Sequence, residues 1–80
     1  MWREGTIGIP VKGQEKLVIV HYWVKHYEEG SEFGINEGRI SKLMVKQGEK
    51  VILNYDRGWD VKEETEVANL ALCILLNDYN

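Results

Sequence analysis

Eighty residues, 44% of them hydrophobic and 29% charged, make one globular domain and leave no room for a second. A formal net charge of -3, from 13 acidic and 10 basic side chains, argues against a broad attraction to phosphate backbones or anionic membranes. The lone Cys73 excludes an intrachain disulfide; set among Leu72, Ile74 and Leu75, it is predicted to be a small core hydrophobe in a reducing compartment.

Residues Met1 to Gly5 lack the basic start and apolar core of a signal peptide. The longest uninterrupted apolar run, Leu70 to Leu76, falls short of the roughly 18 to 20 residues a membrane span needs, so a cytoplasmic protein is expected. Trp2 to Ile9 sets Trp2, Ile7 and Ile9 among polar residues and two glycines, an interrupted strand suited to a sheet edge. Pro10 to Glu15 is turn chemistry and predicts a hairpin. Leu17 to Tyr27, rich in β-branched and aromatic residues, is the strongest strand. Alternation puts Val18, Val20, Tyr22, Val24 and His26 on one face and Leu17, Ile19, His21, Trp23, Lys25 and Tyr27 on the other. The second face turns polar toward Lys25, which predicts that it is covered for only part of its length.

Glu28 to Gly38 is a loop with glycines at 30, 34 and 38 and four acids. Loops of this length often carry binding, but charge runs are ordinarily solvated, so Phe33 and Ile35 are expected under the sheet edge with the acids in water. Arg39 to Lys46 alternates Ile40, Lys42, Met44 and Lys46 against Arg39, Ser41, Leu43 and Val45, a third strand with one partly solvated face. Gly48 is placed to take a positive φ in the following turn. Lys50 to Tyr55 is the fourth strand, with Val51, Leu53 and Tyr55 on one face and Ile52 and Asn54 on the other.

From about Lys62 to Asp78 the period becomes helical. Asp60, with Glu63 three residues on, resembles a capping box, and Thr65 is the alternative cap. Val67, Leu70, Ala71 and Ile74 form one stripe; Ala68, Leu72, Leu75, Leu76 and Tyr79 form a second beside it. A helix on one sheet face needs an apolar stripe somewhat over 100° wide, and this one spans roughly twice that. A homodimer through Leu72 and Leu76 would cover the excess. The elements sum to an α+β domain: a four-stranded, mostly antiparallel sheet in the order β-β-β-β-α, with the C-terminal helix packed on one face.

His21 and His26, five apart in a strand, fall on opposite faces, so they form no metal pair; no metal and no cofactor is expected. Gly34 to Ser41 lacks the Gly-Lys-Ser/Thr end of a phosphate loop and leads into a strand rather than a helix. Asp56-Arg57-Gly58-Trp59-Asp60 gathers two carboxylates, a guanidinium and an indole, the ingredients of acid-base chemistry. A structural account is favoured for it: Gly58 supplying positive φ, Trp59 plugging the core under the helix start, and Asp60 capping the helix. A chain this small offers little depth for a catalytic pocket, so no enzyme is expected. Ser31, Arg39, Ser41, Lys42, Arg57 and Trp59 are the candidate partner- or ligand-binding residues, because arginine and aromatic side chains at exposed loop ends make binding hot spots. Pairing of the third and fourth strands about Gln47-Gly48 would bring Arg39 and Ser41 near Asp56 and Arg57.

The runs Tyr22-Trp23-Val24-Lys25, Glu28-Glu29-Gly30-Ser31-Glu32-Phe33-Gly34-Ile35, Gly38-Arg39-Ile40-Ser41-Lys42-Leu43, Asn54-Tyr55-Asp56-Arg57-Gly58-Trp59-Asp60 and Tyr79-Asn80 resemble a family of uncharacterised small proteins of Gram-positive bacteria and their phages. The resemblance extends over nearly the whole chain, implies a phage or mobile-element accessory protein, and carries over no catalytic residue. The leading expectation is a non-enzymatic interaction module that binds and modulates a host protein, a defence component included. One alternative is a small-ligand binder, such as a nucleotide-sequestering protein using Arg39, Arg57 and Trp59. The other is a nucleic-acid-binding sheet with a basic face of Lys42, Lys46 and Lys50.

Overall fold

Strand-forming residues dominate the first three quarters of the chain, and the computed structural model, which describes residues 1–80, folds them into β1 (Trp2–Ile9), β2 (Val18–His26), β3 (Ile40–Gln47), β4 (Lys50–Asp56) and β5 (Trp59–Val61), followed by the helix α1 (Glu66–Tyr79). All pairings are antiparallel and the order across the sheet is β1-β2-β3-β4-β5, with α1 laid on one face. The α+β class is as expected. The sheet has five strands rather than four.

The fifth strand explains itself locally. After β4 the chain turns back at once, with Asp56 N–H donating to the Gly58 carbonyl at 2.9 Å, so that Trp59 pairs with Tyr55 and Val61 with Asn54. Three residues are too few for alternation to show in a sequence. The left-handed residue of this turn is Arg57, at φ 59, and not Gly58. Asp60 therefore lies inside β5, well short of the helix, and cannot cap it. Thr65 is the cap: its Oγ1 accepts from the Ala68 N–H at 3.1 Å, and α1 begins at Glu66. Gly48 takes the expected positive φ, 63°, in the β3–β4 turn.

The core lies between α1 and one sheet face. Val20 and Val24 of β2, Leu43 and Val45 of β3 and Leu53 of β4 are buried against Val67, Ala68, Ala71, Leu72 and Leu75. Leu72 is only 7% exposed, and a fully buried Leu contributes about 1.5 to 3 kcal/mol. Leu70, Ile74, Leu76 and Tyr79 pack partly buried against the same core, so the helix's own sheet covers most of its broad apolar face. Leu72 thus keeps little surface outside the chain's own core. Cys73 is exposed, not a core residue, because it falls on the outward line of Glu66, Asn69 and Asn77.

Two bulges re-aim side chains. Lys25 pairs with Lys42 and His26 with Ile40, leaving Ser41 as the extra residue, and both Ile40 and Ser41 are buried. Val45 pairs with Leu53 and Lys46 with Val51, leaving Ile52 as the extra residue, so Ile52 and Leu53 are both buried and Val51 sits opposite Lys46. The expected grouping of Val51 with Leu53 is corrected by that bulge. In the loop before β3, Ile35 is buried as expected, but Phe33 is 53% exposed. No helix is long and apolar enough to cross a membrane.

Candidate functional site: a cationic cleft at the end of an open sheet face

Alternation and register put Trp2, Glu4, Ile19, His21, Trp23, Lys25, Lys42, Met44, Lys46, Asn54 and Asp56 on the sheet face away from α1. Trp2 and Ile19 are 56% and 59% exposed. His21 stacks on Trp23 with ring centroids 4.2 Å apart, and its Nε2 lies 2.7 Å from the Glu4 carboxylate. A shallow hollow of about 260 Å³ opens between Trp2, Trp23 and Met44 on one side and Lys42, Asn54 and Asp56 on the other.

A second, more polar hollow of about 230 Å³ lies where this face meets the loop before β3 and the β4–β5 turn. Each wall is held by the fold. Lys25 and Lys42 stand opposite each other in the β2–β3 register. The Ser41 hydroxyl, on the bulge, donates to the Lys25 carbonyl at 3.4 Å. Ser31 Oγ accepts from the Phe33 N–H at 3.3 Å, and the Phe33 carbonyl accepts from the Tyr55 hydroxyl at 2.7 Å. The Arg57 N–H donates to the Ser41 carbonyl at 3.2 Å, and the guanidinium lies 6.0 Å from the Phe33 ring centre.

The loop that brings Ser31 and Phe33 here is pinned from behind by Asn80. Its Nδ2 donates to the Ile35 carbonyl and its Oδ1 accepts from the Ile40 N–H, both at 3.0 Å. The amide lies directly against Gly38, where any Cβ would overlap it.

The cleft is positive. Of Lys25, Lys42 and Arg57, only Lys42 has a carboxylate partner, Asp56 at 3.8 Å. The Tyr27 phenol at the rim is held below its ordinary range, first by the neighbouring Lys25 ammonium and further by the Arg57 charge. No three His, Cys, Asp or Glu side chains gather as a metal site, and His21 and His26 point to opposite faces.

Residues 1–80 match the family described as Domain of unknown function (DUF7678). The chain belongs to that family. No curated protein and no solved structure matches it.

In this DUF7678 chain, four of the six predicted site residues converge: Ser31, Ser41, Lys42 and Arg57 all line the cleft. Arg39 does not; it lines a separate hollow with His26, Tyr27 and Glu28. Trp59 also stays out, packed edge-on against Tyr55 at 5.1 Å and resting on the core. Lys25, Tyr27 and Phe33 are cleft residues that the sequence reading missed. The signal that would have found them is the opposition of Lys25 and Lys42, which becomes visible only once the β2–β3 register is known.

Proposed function

We propose that the DUF7678 chain is a non-enzymatic interaction module that takes a protein partner on the open face of its sheet. The observation that carries this reading is the exposure of Trp2, near Trp23 and Met44, and of Ile19 further along the same face, which α1 leaves uncovered. Tryptophan-rich, partly basic surfaces are what binding hot spots are made of. The resemblance to small proteins of Gram-positive bacteria and their phages supplies a setting: a cytoplasmic accessory protein acting on a host protein, a defence component included. Tagged chain should retain a partner from host lysate that a Trp2→Ser, Trp23→Ser variant of unchanged circular dichroism does not. Equal capture by both would rule the face out.

Self-association is a competing use of apolar surface. Because Leu72 is committed to the core, a homodimer would have to meet α1 at Leu76, Ile74 and the exposed Cys73. Sedimentation as a monomer at high micromolar concentration would remove it. Nucleic-acid binding by the sheet is less supported. Lys42 and Lys46 share the open face, but Lys50 sits opposite Gln47 and, by alternation, on the other side.

A further inference from the structure

We propose that the cleft between Lys25, Lys42 and Arg57 binds the phosphate of a small phosphate monoester, with the group it carries lying against Phe33 and Tyr27. This goes beyond the open-face reading and does not depend on it.

Two locally unfavourable features meet at this one place, beside the bulge at Ser41. Lys25 and Lys42 are directly opposite on adjacent strands, where like charges destabilise a sheet. Arg57 holds φ at 59° although the glycine beside it would take left-handed backbone without a Cβ penalty. Ser41, the extra residue of that bulge, is only 9% exposed and donates its hydroxyl proton to the Lys25 carbonyl, and bulges are common beside functional sites. Such departures from local rules gather where a site is held for a ligand. A bound anion turns the lysine repulsion into attraction. It also accounts for an arginine at the left-handed position, since Gly58 in that place would deliver no guanidinium.

Charge sets the class of ligand. Three cations and one carboxylate, Asp56, leave the cleft two positive charges in excess on a chain whose net charge is -3. A phosphate monoester carries about -1.5 to -2 at pH 7, whereas a carboxylate or a phosphodiester carries about -1. The donors also suit a tetrahedral oxyanion: two ammonium groups, a guanidinium fork, and the Ser31 hydroxyl, whose oxygen already accepts from Phe33 N–H and whose proton is free to donate. Phe33 and Tyr27, 53% and 49% exposed, offer ring surface at the rim to whatever the phosphate carries.

The test is a titration of the whole chain, followed by amide resonances, with adenosine monophosphate, inorganic phosphate, adenosine, acetate and a dinucleoside phosphodiester. The monophosphate and inorganic phosphate should move the amides of Lys25, Ser41, Lys42 and Arg57, the former at lower concentration, while adenosine and acetate leave them in place. Arg57→Gly keeps the left-handed turn and removes the cation. It should stay folded, with a thermal midpoint no lower than wild type, and bind the monophosphate at least about tenfold more weakly. Lys42→Gln, in ordinary strand backbone, should weaken binding in the same direction. Absence of shifts at these amides, or wild-type affinity in both variants, would overturn the site. Acetate or the diester binding as well as the monophosphate would overturn the ligand class.

Discussion

The side-chain amide of Asn80 lies flat against Gly38 and spans the backbone on either side of it, from the Ile35 carbonyl to the Ile40 N–H. Asn80→Ala takes the acceptor from the Ile40 N–H in a part-buried place, while the Ile35 carbonyl keeps the Gly38 N–H at 2.8 Å, and should destabilise the chain by about 1 to 3 kcal/mol. Gly38→Ala should cost at least as much, because the new methyl displaces the amide. Denaturant titration of the two single variants and the double should show strong non-additivity, the second change mattering little once the first is made.

Thr65, not Asp60, satisfies the start of α1. Thr65→Ala should therefore lower stability by about 1 kcal/mol, while Asp60→Ala should stay within about 0.5 kcal/mol of wild type. Paired denaturation curves decide this, and the opposite ranking would return the cap to Asp60.

His26 is held below its ordinary value of 6.5, first by burial and then by the positive charges of the Met1 amino group, Arg3 and Arg39. Its Nε2 is buried without a hydrogen-bond partner, and its ring sits 5.1 Å from that of Tyr79. The unfolded chain takes up a proton near pH 6.5 and the folded chain resists it, so this contribution is complete above about pH 6.5 and is lost as pH falls through the folded value. Denaturation midpoints at about pH 7.5 and about pH 5 should fall further apart in wild type than in His26→Phe. Equal spacing would mean that His26 is not the group responsible.

Tyr22 shows the alkaline counterpart. Its hydroxyl lies 3.0 Å from that of Tyr79, and this bond, followed by burial, pushes its pKa up to about 12. The neutral phenol is the favoured form, so its contribution is present below the ordinary value of 10.0 and is lost as pH climbs from there to about 12. Tyr79→Phe should bring one tyrosine's ultraviolet titration back toward 10 and lower stability at neutral pH by about 1 kcal/mol. An unchanged titration curve would count against the pairing.

Four strands and the helix type were legible from alternation and from the change of period near residue 62, because each of those segments has one buried face. What stayed hidden was whatever a bulge or a very short element decides. Ile52 and Ser41 change sides through an extra residue, and Trp59 to Val61 pair by position rather than by pattern. Ser41 and Arg57 can be grouped from the hairpin alone, whereas Ser31 reaches the cleft through a loop whose path no pattern gives, and Arg39 leaves it because the bulge at Ser41 takes the preceding residues out of simple alternation. The breadth of the helix's apolar surface is legible in its two stripes, and the chain's own core takes up Leu70, Ile74, Leu76 and Tyr79 as partly buried neighbours.

Because strand order across the sheet repeats strand order along the chain, every pairing joins consecutive elements, and no strand waits for a remote partner. The search for the sheet is thus a series of short hairpin closures, the kind of topology that folds quickly. Long-range side-chain fastening comes at the end. The three side-chain hydrogen bonds spanning 40 positions or more all end on Tyr79 or Asn80. The last residues therefore act as a latch: the sheet can assemble without them, but the loop that shapes the cleft is secured only when the final turn of the helix arrives.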